Sequence, residues 1–233
     1  MLIRNRTFEW GVQSHVMGIL NVSPDSFSGD GMGPDPKALE CRIRELVAEG
    51  PDLVDVGGES TRPGSASVHQ DDEISRVAPV IAGLRRLTDC PISIDTSKAE
   101  VARVALEEGA DIINDISALR QDNTMARVVA RTGAPVVLTH RRGTAATMQQ
   151  DTYYRDLLGE VHGFLAARVK AARAEGIERI AVDPGLGFGK SRQGNLVLLG
   201  ALDRFADLGC PLVVGASRKS FIWKTLGLTA EES

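Results

Sequence analysis

Ile92-Ser93-Ile94-Asp95-Thr96-Ser97-Lys98-Ala99-Glu100, continued through Gly109 to Ile112-Ile113-Asn114, holds the repeating unit of this chain. A short β-branched run ends in a polar residue, a stretch rich in Ala, Leu, Glu and Arg follows, and a second apolar run ends in another polar residue. The apolar runs are too short for helices and suit buried strands. Ser97 with Glu100 three residues on has capping-box spacing, which predicts a helix start there. Gly109 suits the end of that helix. Strand, polar tip, helix and strand again is the grammar of a parallel α/β fold.

The unit recurs in both directions. Val16–Leu20 ends at Asn21, Leu53–Val56 runs on to Glu59, and Val136–Leu138 leads to His140. Ile180–Val182 ends at Asp183, and Leu212–Val214 precedes Lys219. A helix is predicted from about Gln70, with Ile74, Val77, Ile81 and Leu84 on one face, and a longer one from about Tyr154 to Glu175. Leu2–Arg4 and Thr7–Val12 read as an N-terminal hairpin around Asn5-Arg6. Polar tips on every strand predict a ring, a TIM-like (β/α)8 barrel forming one domain over residues 1–233. An open doubly wound sheet would concentrate its site at one switch point instead. Seven units are visible where a closed barrel has eight, and seven strands would leave an apolar edge. The expectation is that an eighth βα unit is missing from these residues rather than from the fold.

Composition narrows the function. The 233 residues are 42% hydrophobic with a formal charge of −4, and they carry no dense Lys/Arg block, so neither nucleic acid nor a membrane is an expected partner. No run reaches the length of a membrane span and the N-terminus has no apolar signal region, which predicts a cytoplasmic protein. Cys41, Cys90 and Cys210 have no metal-ligand spacing and read as buried, reduced thiols.

The loops after the strands carry the chemistry. Asp183-Pro-Gly-Leu-Gly-Phe-Gly-Lys-Ser fails as a P-loop because Pro184 stands where the first glycine is needed, and it fails as a dinucleotide fingerprint because of Lys190. It remains a strand ending in a carboxylate, followed by a loop that lets backbone approach a ligand. Gly57-Gly58-Glu59-Ser60-Thr61-Arg62-Pro63-Gly64 offers a hydroxyl and a guanidinium fork that suit a phosphate or carboxylate. Asn21-Val22-Ser23-Pro24-Asp25-Ser26 could hold a hydrated Mg²⁺ through one or two oxygens, or could equally be a capped turn. Asp95, Asn114, Asp183 and Lys219 would meet in the barrel mouth, as an ion-pair network or as a cradle for a flat heterocycle. His140 beside Arg141-Arg142 reads as hydrogen-bonded structure. No Ser/His/Asp or Cys/His arrangement and no histidine metal cluster is present in the sequence, so covalent catalysis by the protein is not expected.

These motifs together resemble the dihydropteroate synthase family. Met17-Gly-Ile-Leu-Asn-Val-Ser-Pro-Asp-Ser-Phe27, Asp55-Val-Gly-Gly-Glu-Ser-Thr-Arg-Pro-Gly64, Ile94-Asp-Thr-Ser-Lys98, Ile113-Asn-Asp-Ile116, Asp183-Pro-Gly-Leu-Gly-Phe-Gly189 and Ser217-Arg-Lys-Ser220 carry the resemblance, in family order. It implies a TIM-like barrel, a homodimer, and condensation of 6-hydroxymethyl-7,8-dihydropterin diphosphate with p-aminobenzoate, the step that sulfonamides block. By position it implies that Asp95, Asn114, Asp183 and Lys219 hold the pterin. Asn21 would meet the Mg²⁺ on the diphosphate, with Thr61 and Arg62 on the diphosphate itself. Pro63, Phe188, Ser217 and Lys219 would frame p-aminobenzoate. Asp95, Arg62 and Lys219 would be the catalytic groups.

Two departures stand out. The family's eighth strand carries an Arg-x-His pair that nothing after Lys219 supplies, and Thr139 and Arg141 stand where the family has methionines, which makes the back of the pterin pocket less apolar. Two other functions share part of the pattern. The methyltetrahydrofolate-binding domain of corrinoid methyltransferases has similar pterin contacts without a diphosphate pocket. A non-catalytic pterin-binding module would bind without turnover.

Overall fold

The computed structural model describes residues 1–22, 36–61, 64–144 and 146–229. Strands β1 (Leu2–Ile3) and β2 (Arg6–Thr7) pair antiparallel. A parallel sheet then runs β3 (Met17–Asn21), β4 (Leu53–Gly57), β5 (Ile92–Asp95), β6 (Ile112–Asp115), β7 (Val136–Thr139) and β8 (Ile180–Asp183), in spatial order equal to chain order. Helices α1 (Pro36–Ala48), α2 (Gln70–Leu87), α3 (Ala99–Glu107), α4 (Met125–Thr132) and α5 (Leu157–Ala174) connect them. Helix α6 (Arg192–Leu199), a 3-10 turn (Leu202–Leu208) and α7 (Ser220–Leu226) follow. Right-handed crossovers with an unreversed strand order put every connecting helix on one face of the sheet. That is the layout of a barrel wall and excludes the doubly wound alternative, whose strand order reverses.

Two apolar layers follow from the period of two along each strand. Val54, Val56, Ile92, Ile94, Ile113, Val136, Leu138 and Val182 pack outward against the helices, where Val77, Ile81, Val101, Val129 and Leu165 are buried. Leu53, Ile112 and Val137 form a separate inner cluster with Met17, Ala181 and Val213. Ile3 and Phe8 of the hairpin join this inner cluster, so the hairpin plugs the amino end of the strands. Continuing the alternation upward, Asp55, Ser93, Asp95, Asn114, Thr139 and Asp183 take the inner positions toward the carboxyl ends. The sequence therefore lays apolar residues at the floor and polar ones at the mouth.

Several expectations need correction. The predicted seventh strand is one parallel bridge, Val182 with Leu212, secured by Val182 N–H to Pro211 O at 2.9 Å and Val213 N–H to Val182 O at 2.8 Å. Among the described residues this segment has a strand neighbour on one side only, so its ladder stays short. The hairpin strands stop at Ile3 and Thr7, because Arg4 takes a left-handed turn conformation at φ 54°. Ser97 does not cap α3: Lys98 is the cap residue without a side-chain bond, and Asp122 accepts the Ala99 N–H at 2.9 Å. A carboxylate brought in by the fold has taken the place of the local hydroxyl. Helix α5 starts at Leu157 behind an Asp156 cap, and Tyr154 instead donates to Gly189 O at 3.0 Å. Cys90 is buried as expected, but Cys41 is exposed and Cys210 half-buried; all three are free thiols. No helix among the described residues is long and apolar enough to cross a membrane.

Candidate active site

The inner ends of β4, β5 and β6 gather carboxyl groups. Asn114 Nδ2 donates to Asp55 Oδ2 at 3.1 Å, and burial pushes the Asp55 carboxyl up to about 6 against that hydrogen bond. Burial also raises Asp95 well above the carboxylate range, and the nearby Asp55, Glu73, Asp115 and Glu59 add to it. Asp55 Oδ1, Asp95 Oδ1 and Thr139 Oγ1 are buried without a hydrogen-bond partner. Unsatisfied buried polar atoms are costly and belong to a native fold only where something else is to meet them. Asp115 differs, since its oxygens accept Ser117 N–H at 2.7 Å and Leu119 N–H at 2.8 Å. It secures the turn in which Ala118 and Leu119 hold φ of 54° and 61°.

The opposite side carries cations. Asp183 ends β8 with its Oδ1 accepting Gly185 N–H at 2.7 Å. Burial raises its pKa, opposed by that bond and by Lys219 and Lys190. Lys219 immediately precedes α7, and its Nζ lies 4.5 Å from the Phe188 ring centre, a cation–π contact. Burial lowers its pKa while Asp183 and Asp95 pull the other way. The field of both carboxylates at one ammonium brings Asp95, Asp183 and Lys219 into a common neighbourhood.

Asn21 is the tip of β3, at the edge of the sheet among the described residues. Its register partner is Gly57, where an added Cβ would stand 3.3 Å from Asn21 Oδ1 and 3.7 Å from Asp95 Cβ. Gly57 thus keeps open the gap between the amide and the carboxyl. Among the described residues no cluster of three or more His, Cys, Asp or Glu could hold a metal ion. A neutral amide oxygen at the mouth fits a hydrated hard cation that takes most of its ligands from a substrate. Thr61 is half-buried on the loop after β4, and Ser217 is exposed. Arg62 and Pro63 lie outside the described residues, as does most of the loop after Asn21.

His140 is hydrogen-bonded structure, as its sequence context predicts. Its ring packs edge-on to Phe164 with centroids 4.9 Å apart, and Nδ1 lies 2.8 Å from Lys190 Nζ. Burial, then Lys190, Arg120 and Arg142, push its pKa down to about 3. Three contributors escape a reading of strand tips. Asp55 sits inside its strand, although the inward spacing Leu53, Asp55, Gly57 signals it. Lys98 bridges Glu59 and the buried Glu73, tying the loop after β4 to the one after β5. Burial works against that ammonium, but the two carboxylates outweigh it and hold its pKa above the usual value. Lys190 fills the glycine-rich loop from within.

Parallel strands in barrel order, an inward polar mouth and a lysine–aromatic pair define an α/β barrel protein with its candidate site at the carboxyl ends of the strands. Residues 17–232 match the pterin binding enzyme family, and the chain belongs to that family. It is 47% identical over 222 residues to the dihydropteroate synthase of a Synechocystis species, covering 94% of this chain and 76% of that protein. The Yersinia pestis dihydropteroate synthase, solved as a sulfonamide drug complex, superposes with a TM-score of 0.91 at 37% identity, over 100% of this chain and 84% of that one. The Xanthomonas albilineans enzyme, solved with 4-aminobenzoic acid, gives 0.86 at 43% identity, over 95% and 80%. The fold is accordingly the TIM-like barrel of these enzymes.

Proposed function

We propose that this chain is a dihydropteroate synthase, a transferase that joins 6-hydroxymethyl-7,8-dihydropterin diphosphate to p-aminobenzoate and releases diphosphate. The observation that carries the reading is the barrel mouth, where unpartnered buried carboxyl oxygens face a lysine packed on an aromatic ring, in a chain aligned along most of its length with such enzymes. The roles below are our assignment. Asp183 accepts from the donor edge of the pterin, Lys219 donates to its carbonyl, and Asn114 and Asp95 complete the cradle. Thr61 and Arg62 hold the diphosphate. Phe188, Lys219, Ser217 and Pro63 frame p-aminobenzoate.

Departure of diphosphate breaks the methylene C–O bond and leaves positive charge at the pterin methylene; the arylamine nitrogen then bonds there and releases a proton. No protein nucleophile is required. Catalysis is orientation plus electrostatics. The buried Asp95 carboxyl, without a cation on its Oδ1, gains a partner as the pterin becomes cationic. Arg62 stabilises the departing charge. The Asn21 amide oxygen would hold a Mg²⁺ ion carried in with the diphosphate, and that ion would supply further countercharge for the leaving group. A homodimer working in the cytoplasm and inhibited by sulfonamides completes the proposal.

The test is diphosphate release from the dihydropterin diphosphate with Mg²⁺, with and without p-aminobenzoate. Release matched one-for-one by dihydropteroate supports the synthase. Pterin binding without turnover would favour the non-catalytic module instead. The methyltetrahydrofolate-binding alternative has no use for the Phe188–Lys219 pair or for the Thr61-Arg62 loop.

A further inference from the structure

Gly189-Lys190-Ser191 resembles the end of a P-loop, yet Lys190 turns inward and is only 3% exposed. Its Nζ lies 2.8 Å from Gly185 O, 2.9 Å from Phe188 O, 3.2 Å from His140 O and 2.8 Å from His140 Nδ1. Burial and then Lys219 bring the Lys190 pKa down to about 7 against the pull of Asp183, and in the charged form its three protons are all engaged by this set. The depressed pKa of His140 keeps its imidazole neutral, which leaves Nδ1 able to accept. A side chain that would hold phosphate in a P-loop here holds the carbonyls of its own loop.

The loop around that ammonium has little freedom. Gly185, Gly187 and Gly189 have φ of 70°, 84° and 67°, and a Cβ on Gly185 would come 2.0 Å from His140 O. A Cβ on Gly187 would come 3.1 Å from Lys219 Cδ, so the loop backbone lies directly against the lysine of the site. Asn195 fastens the outer side: its Oδ1 accepts Gly187 N–H at 2.7 Å and its Nδ2 donates to Ser191 O at 2.9 Å. Phe188, whose carbonyl Lys190 binds, turns its ring to the Lys219 ammonium.

We infer that Lys190 is a positioning residue for p-aminobenzoate: its buried ammonium ties the Phe188 backbone to the end of β7 and so fixes the aromatic wall beside Lys219. The inference rests on the synthase reading above. Lys190 is engaged with protein acceptors and acts on the arylamine only through Phe188.

Steady-state kinetics on the full chain, with each substrate varied in turn, tests it. Lys190→Met removes hydrogen bonds from a charged donor and is expected to raise KM for p-aminobenzoate about tenfold, with KM for the pterin diphosphate within about twofold of wild type. Lys190→Gln keeps two N–H donors, should recover part of the loss, and serves if the Met variant does not fold. In a Phe188→Ala background, Lys190→Met should have no further effect on p-aminobenzoate, because the two residues act as one unit. An unchanged KM for p-aminobenzoate, equal rises for both substrates, or additive effects with Phe188→Ala would each overturn the inference. A wild-type chain that makes no dihydropteroate would sink the functional reading and this inference with it. That result is distinct from an active wild type matched by an equally active Lys190→Met variant.

Discussion

On the side of the mouth formed by β4, β5 and β6, buried acceptors outnumber their partners: Asp55 Oδ1, Asp95 Oδ1, Glu73 Oε1 and Ser93 Oγ are all unmatched. On the side formed by β7, β8 and the loop after β8, the ammonium of Lys190 meets four acceptors and Asp183 holds a backbone N–H. One side is left incomplete and the other is finished within the protein. The difference teaches where the ligand contributes. A preassembled wall gives a substrate its orientation without reorganisation, while an unmatched carboxyl reserves its interaction energy for charge that develops during reaction. The incomplete side is also the side where folding stability has been given up.

That contrast can be broken by experiment, and the largest expected effect is on Asp95. Asp95→Asn should lower kcat by about 10²–10³, the cost typical of losing one preorganised electrostatic group. Circular dichroism and thermal melting should show a fold no less stable, because burial and the neighbouring carboxyls already disfavour the ionised form that the amide removes. A melting temperature that falls with activity would mean that Asp95 is structural.

The second test sets the two sides against each other through pH. Asp55 has a folded pKa of about 6, above its unfolded value, so its contribution to stability is present at low pH and is lost as pH rises through about 4 to 6. His140 has a folded pKa of about 3, below its unfolded value, so stability is lost as pH falls from about 6.5 toward 3. The two slopes oppose each other between about pH 4 and 6, and the raised carboxyls of Asp95 and Asp183 add to the falling one. Asp55→Asn should add about 1–2 kcal/mol at pH 7 and make the fall in stability with rising pH shallower. His140→Gln should uncover the falling slope. Urea titrations at several pH values read both, and a variant curve parallel to wild type would remove its residue from the account.

The smallest effect is expected at the seam. Thr139 belongs to the finished side by strand, yet its Oγ1 is unmatched, and it pairs in register with Asp183. Thr139→Val should raise stability by about 0.5–1 kcal/mol in the ligand-free protein, since an unsatisfied hydroxyl is removed without a change of shape. A loss of stability in that variant would show that the hydroxyl is satisfied after all.

The fold was legible wherever the signal is local. Strand runs such as Ile180–Val182 and the face of α2 carry their period in consecutive residues, so their elements fall close to expectation. Signals that depend on distant partners were not. Ser97 has the right spacing for a cap, but Asp122, distant in sequence, takes the position. Asp183, Asn114, Asp95 and Lys219 were readable as a group because each ends or follows a strand. Asp55 was not, because in a strand buried on both faces an inner carboxyl looks like an interruption. Lys190 was not readable for another reason: with the P-loop excluded by Pro184, nothing local says what its ammonium meets, and only the folded loop shows it turned inward.

The unreversed order of the strands has a consequence for how the chain acquires its site. Each strand from β4 to β8 hydrogen-bonds to the one just before it, so none of these strands waits for a pairing partner made much later. Contacts between neighbouring units are cheap in loop entropy, and a chain emerging from the ribosome can add them one at a time. Pulse-labelled hydrogen exchange during refolding should find β4 to β6 protected no later than β8. The carboxyl-rich wall would then stand complete before Lys219 is synthesised, and the nascent chain would hold its acids together for a time with no cation to face them.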